Sequence, residues 1–143
     1  MTPRVCRTRS VGQSAMANEE LVALLGQGVE AWNACRARDR AAPADLSGAA
    51  LRALDLTKVD LAGADLRGAD LRGTILTEAK LVEACLQGAN LFKAVLEGAD
   101  LGNADLRGAR FLNCAQLQSA LNWQSTFRDT DLACGASVPR RES

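Results

Sequence analysis

The chain has 143 residues with 17 basic and 17 acidic side chains, no histidine, no tyrosine and only 3% aromatics. That length supports one domain with a core. The missing histidine removes Ser-His-Asp and Cys-His catalysis and the usual histidine-containing zinc sites, and a formal charge of zero speaks against a nucleic-acid-binding surface.

Residues 1–17 read as a disordered tail. The first fifteen carry Arg4, Arg7 and Arg9 and no acid, a composition shared with targeting remnants, and Met16 is an alternative start. A helix is expected over 18–40. Asn18 is placed to cap it, Glu19 and Glu20 suit its first turn, and Leu21, Leu24, Leu25, Gly28, Val29, Trp32 and Cys35 fall on one face. Arg36, Arg38 and Arg40 load its end and Pro43 stops it. Within it, Gly26-Gln27-Gly28-Val29-Glu30-Ala31 matches G-x-G-x-x-A. That fingerprint needs a preceding strand and a βαβ unit, neither of which is indicated, so no cofactor is expected.

From Ala44 to Leu121 one five-residue phrase repeats, most clearly as Ala64-Asp65-Leu66-Arg67-Gly68-Ala69-Asp70-Leu71-Arg72-Gly73. A leucine recurs at Leu46, Leu51, Leu56, Leu61, Leu66, Leu71, Leu76, Leu81, Leu86, Leu91, Leu96, Leu101 and Leu106, and Phe111 takes the next slot. Two residues before each stands something small, usually alanine. A helix would turn leucines five apart by roughly 140° from one another. A flat strand would put them on alternate faces. A chain that bends by roughly 90° per phrase and closes a square coil after four keeps them all inside, with coils stacked about 4.8 Å apart. All fourteen of these positions are therefore expected in the core.

The phrase resembles the consensus A-(D/N)-L-x-x of the pentapeptide-repeat family. The resemblance covers about 78 of the 143 residues, weakens where Gln116 takes the leucine slot, and recovers at Ser119-Ala120-Leu121. It implies an all-β solenoid, a right-handed quadrilateral β-helix of about four coils. The words Val29-Glu30-Ala31-Trp32-Asn33 resemble the leader helix of some bacterial members, and implied for that helix is a capping role over the first coil. Leu21, Leu25 and Trp32 would do the covering, with Leu54 and Val59 beneath.

Folding the phrases onto four faces aligns Asp45, Asp65, Cys85 and Asp105 in one column beside Ser47, Arg67, Gln87 and Arg107. This reads as a solvated, salt-bridged face with Cys85 exposed in it. Another face aligns Ile75, Val95 and Leu117, with Phe92 adjoining. That apolar stripe is a candidate contact site, or a strip that the C-terminal segment folds back to cover. The cysteines at 6, 35, 85, 114 and 134 are odd in number and widely spaced, which reads as reduced thiols in the cytoplasm. No apolar run approaches 18 residues, so no membrane span is expected.

From Trp123 the phrase is gone. Trp123 and Phe127, four apart, suggest a short helix or turn capping the last coil over 122–136, and residues 137–143 read as a tail. Asn122-Trp123 and Asp131-Leu132-Ala133-Cys134-Gly135 resemble the ends of the same leader-helix subgroup. The expected function is a non-catalytic scaffold or interaction module with no catalytic, cofactor or metal residues. Its partner would be an unidentified protein or a second copy, not nucleic acid. The family also includes mimics of duplex DNA that bind topoisomerases such as gyrase, which is the alternative. Within 44–121, eight bases against ten acids give 8 − 10 = −2, and a rod of only roughly 20 Å from four coils departs from that pattern. Enzymatic activity is the remotest reading, because no nucleophile–base pair can be assembled.

Overall fold

The structure is a computed structural model and describes residues 18–39 and 44–139. Helix α1 (Asn18–Gln27) is followed by α2 (Val29–Arg38), then by the repeat, a one-turn helix α3 (Cys114–Gln118) and two 3₁₀ turns, Trp123–Ser125 and Thr130–Leu132. The single helix expected over 18–40 is thus two. The break falls at Gly28, whose φ of +126° is a backbone state that only glycine enters without strain. Residues 1–17, 40–43 and 140–143, and with them the expected N-terminal tail, the end of the expected 137–143 tail, Cys6, Arg40 and Pro43, lie outside the described residues.

Within the repeat each turn of the solenoid takes twenty residues. Asp45 pairs in parallel with Asp65, Asp65 with Cys85 and Cys85 with Asp105; the rungs at Ala50, Asp55 and Asp60 step up in the same way. Among the described residues the ladder is made of rungs one residue wide rather than extended strands. The hydrogen bonds explain why the phrase has five residues. In Asp65–Ala69, Asp65 N–H donates to Ala44 O in the coil before, while Leu66 and Gly68 donate to Cys85 O and Gln87 O in the coil after. Ala69 N–H closes the corner onto Leu66 O. The remaining donor, Arg67 N–H, is taken by the Asp65 carboxylate at 3.2 Å. Every backbone donor of the phrase has a partner, and the acidic residue is what satisfies the fifth.

The corner residue after each turn has positive φ. Glycine fills seven of these corners, and Ala53, Lys58, Glu78, Glu83, Lys93 and Asn103 occupy the others at φ of 56–65°. This is the left-handed third position of a type II-like turn. The leucines from Leu46 to Leu106 are all buried, in one cluster with the alanines that precede them. Thr74, in an alanine slot, is buried too and satisfies its hydroxyl on Leu51 O at 2.7 Å.

Phe111 breaks the pattern. It was expected to fill the fourteenth interior slot, yet it is 63% exposed. Its φ of +60° turns the chain a corner early and throws the ring outward. The chain then enters α3 through a reciprocal cap. Asn113 accepts from Gln116 N–H at 2.8 Å, and the Gln116 side chain accepts from Asn113 N–H at 3.0 Å. Helical geometry moves the interior position from Gln116 to Leu117. Leu117 is therefore fully buried (0% exposed) and does not belong to an outer stripe. The inserted residues also displace the later rungs: Asp100 pairs with Leu121 and Asp105 with Phe127, offsets of 21 and 22 residues. Leu121 thus lands on an outward rung position, exposed, while Ala120 is buried.

Candidate contact surface

Both ends of the ladder are closed by side-chain groups that imitate a missing rung. At the first coil, Trp32 is buried and its indole N–H donates to Asp60 O at 2.7 Å. The neighbouring Asn33 accepts from Asp60 N–H at 2.8 Å and donates to Lys58 O at 3.1 Å. Leu21 and Leu25 are buried in the same cluster, which also contains Val59, with Leu54 packed against it. At the far end the Gln116 amide donates to Leu91 O at 2.9 Å and Ala94 O at 3.0 Å.

The C-terminal segment is organised by Arg128, a residue that carries no signal in sequence. Only 3% exposed, its guanidinium donates to the carbonyls of Leu132 (2.8 Å), Thr126 (3.0 Å), Trp123 and Gln124 (3.2 Å each), and more distantly to those of Ala133, Ala136 and Ser137. It also lies 5.3 Å from the Trp123 ring centroid. Burial lowers its pKa from the usual arginine value. Trp123 and Phe127 are both half-buried. Of the helix or turn expected here, the chain forms a 3₁₀ turn at Trp123, while Phe127 takes a rung position opposite Asp105.

The cysteines also depart from expectation. Cys114 and Cys134 are joined by a disulfide, and Cys85 is likewise a disulfide cysteine. Cys85 is 1% exposed, so it is not an accessible thiol in an acidic column. Spacing along the chain could not show that the start of α3 and the turn after Leu132 come together. Cys35, half-buried, is the free thiol among the described residues.

In three phrases the acid is paired with the arginine two residues on. Arg67 binds Asp65, Arg72 binds Asp70 and Arg107 binds Asp105, at 2.6–2.7 Å. The hydrogen bond from Arg72 holds the Asp70 carboxyl down to about 2. Burial of Asp105 opposes its ionisation, but the Arg107 side chain, backbone and charge and the Gln87 amide outweigh it, and its pKa lies below the ordinary value. Carboxylates held low are poor proton donors and weak bases at neutral pH. The ladder is built as structure.

Apart from Leu121, the large outward apolar residues lie on two adjoining faces. Ile75 and Val95 are rung partners and both exposed. Phe92, on the adjoining corner, is exposed and meets the displaced Phe111 ring edge-on at 5.7 Å between centroids, with the Lys93 ammonium 5.4 Å from its own ring centre. Where the rung above Val95 would fall, α3 stands instead, leaving an open groove lined by Ala94, Val95, Leu96, Glu97, Ala115 and Gln116. The stripe predicted from sequence thus contains Ile75, Val95 and Phe92. Phe111 joins it and Leu117 leaves it.

A twenty-residue coil, inward leucines and one-residue rungs define a solenoid of the β-helix class, a repeat scaffold. The family model for pentapeptide repeats matches eight copies in this chain, over residues 44–81, 55–91 and 84–120. The chain belongs to the pentapeptide repeat family. Among curated proteins none matches it. A solved structure of a pentapeptide repeat protein from the cyanobacterium Cyanothece 51142 is 34% identical, aligned over 65% of this chain and 65% of that one, with a TM-score of 0.33. A pentapeptide repeat protein of the Arabidopsis thaliana thylakoid lumen is 28% identical over 69% of this chain and 66% of its own, with a TM-score of 0.28. One from Nostoc Pcc 7120 is 28% identical over 78% and 92%, with a TM-score of 0.23. The match spans 65% of the Cyanothece chain, just under two thirds of its length. No helix among the described residues is long and apolar enough to cross a membrane.

Proposed function

We propose that this chain is a non-catalytic pentapeptide-repeat scaffold, a right-handed quadrilateral β-helix of about four coils. On this reading α1 and α2 cap its first coil, residues 122–136 cap its last, and it binds a protein partner or a second copy through the Ile75–Val95–Phe92–Phe111 corner. One observation carries the reading. Four large apolar side chains from four separate phrases are exposed close to the groove where a rung is missing. Away from this cluster, Leu121 is the other large apolar side chain exposed among the described residues, and paired charges and hydrogen-bonded turns recur along the repeat. An exposed apolar cluster rimmed by polar residues marks a contact surface, and Phe is among the side chains enriched at protein interfaces.

Two features argue against the alternatives. The carboxylates of Asp65, Asp70 and Asp105 are each neutralised by an arginine in the same phrase, so the faces do not present the continuous negative potential a duplex mimic needs. For Asp70 and Asp105, whose pKa values are lowered, this argues against acid–base chemistry as well. The cytoplasmic location expected from reduced thiols loses that premise, and an oxidising compartment fits a disulfide-bonded chain better.

A photo-crosslinking amino acid placed at Phe92 should capture a partner or a second copy. The same probe at Asn103, exposed on the opposite face of the coil, should not, and Val95→Lys should abolish capture from Phe92. Equal capture from both positions, or capture that survives Val95→Lys, sinks the reading.

A further inference from the structure

The Cys114–Cys134 disulfide does something the repeat does not require: it ties the first residue of α3 to the turn that ends the Arg128 knot. Inside the loop it closes lie Leu117, Ala120, Thr126, Arg128 and Leu132, all buried. Beyond Leu132 the fastening is thin. Residues 133–137 make local backbone bonds, Ala133 N–H to Thr130 O at 3.2 Å and Ala136 N–H to Ala133 O at 3.0 Å. They are tied to the rest by the longer Arg128 bonds to Ala133, Ala136 and Ser137, at 3.3–3.5 Å, by the Gln118 amide on Cys134 O at 3.2 Å, and by Cys134 packed against the core. The covalent bond is the strong tie. Its two cysteines are both half-buried, so a thiol can reach them, whereas Cys85 is sealed.

We propose that Cys114–Cys134 is a redox latch on the C-terminal cap. A dithiol reductant, small-molecule or protein, opens it by exchange. A thiolate of the reductant attacks one sulfur of the bond, forming a mixed disulfide and releasing the other cysteine as a thiolate, which takes up a proton. The reductant's second thiol then displaces the remaining cysteine. The chain gains two hydrogens and the reductant leaves as its own disulfide, so the electrons balance. Released, residues 133–137 peel back and uncover Leu132 and the Arg128 guanidinium beside Trp123. The coils, held by their own rungs, stay closed. Oxidised and reduced forms then present different surfaces at the top of the solenoid, while the Ile75–Val95 corner of the proposed function is left in place.

The test is hydrogen exchange with mass-spectrometric readout on the full chain, oxidised and after treatment with dithiothreitol. Reduction should cost residues 133–137 at least about tenfold in protection while residues 64–108 keep theirs, and iodoacetamide should label Cys114 and Cys134 before Cys85. The Cys114→Ser, Cys134→Ser double variant should show the same loss without reductant, and reductant should add nothing there. Unchanged protection at 133–137 with both cysteines alkylated overturns the latch. So does earlier labelling of Cys85, or a loss spread over the coils.

Discussion

Arg128→Met keeps most of the side-chain stem and removes the guanidinium, which makes it the sharpest probe of the C-terminal cap. Two nitrogens make the short bonds: Nε to Leu132 O at 2.8 Å, and Nη1 to Thr126 O at 3.0 Å. Hydrogen bonds from a charged group are each worth about 1.5–3 kcal/mol net, which gives about 3–6 kcal/mol for the pair. Against this stands the cost of burying a cation, visible in the lowered Arg128 pKa, which the variant no longer carries. The expected net loss is about 2–4 kcal/mol, concentrated in residues 122–137. Urea unfolding followed by Trp123 fluorescence should show it, with an early transition for the cap. Arg128→Lys should recover little, because a point-like ammonium cannot reach Leu132, Thr126 and Ala133 together. A loss below about 0.5 kcal/mol in Arg128→Met, the range of an ordinary surface change, would refute the view that this residue assembles the cap.

Three further outcomes follow from the coil itself. Leu86→Ala empties a central layer between Leu66 and Leu106, and walls tied by rungs cannot collapse inward, so the loss should lie at about 3–5 kcal/mol in urea titrations, the upper part of the usual range; a loss under about 1 kcal/mol would contradict the stacked interior. Ala53→Gly should stabilise. A left-handed alanine costs about 1–2 kcal/mol, and glycine's extra unfolded-state freedom offsets about 0.5–1 of it, so Tm should rise by a few degrees rather than fall. For pH, the folded Asp70 carboxyl titrates at about 2, below the ordinary value near 4. Asp105 shifts the same way. The folded state therefore binds fewer protons, and the stabilisation is present above pH 4 and lost as pH falls toward 2. Thermal melts should show that decline, and Asp70→Asn should flatten it while keeping the turn, as Asn90 already accepts from Phe92 N–H.

The repeat was legible in sequence because one constraint recurs thirteen times: a leucine every five residues can be buried on every turn only by a chain that bends between them. Single deviations had no such redundancy. Phe111 has the right character for the interior, and only the premature left-handed turn at that residue puts it outside. Gln116 and Leu117 exchange roles because one helical turn interrupts the corner geometry, a choice written in the Asn113–Gln116 cap rather than in any hydrophobic period. Arg128 was invisible because a lone arginine among polar residues looks the same whether solvated or enclosed by carbonyls. The disulfide was hidden for a related reason: 20 residues of sequence separation say nothing of distance once a cap folds back on itself.

These misses share a cause that bears on function. A coil in mid-stack has neighbours above and below, so its polar backbone is satisfied by repetition and its outer residues are free to be charged pairs. The ends have no such neighbour, and sealing them takes irregular chemistry: the Trp32 indole and Asn33 amide on Asp60, the Gln116 amide on Leu91 and Ala94, and Arg128 on its ring of carbonyls. At the far end the seal is incomplete at Val95, where α3 stands aside from the missing rung and Phe111 is displaced onto Phe92. Ile75, Phe92 and Val95 point outward from regular phrases, but the presence of Phe111 beside them is a consequence of how the ladder stops. Restoring a regular phrase over 111–120, with leucine and alanine in their slots and glycine at the corners, should bury what Phe111 now exposes and take that ring out of the corner while leaving the fold intact. If crosslinking from Phe92 survived that replacement, the contact would have to reside in the regular faces, and the link between the broken repeat and recognition would fail.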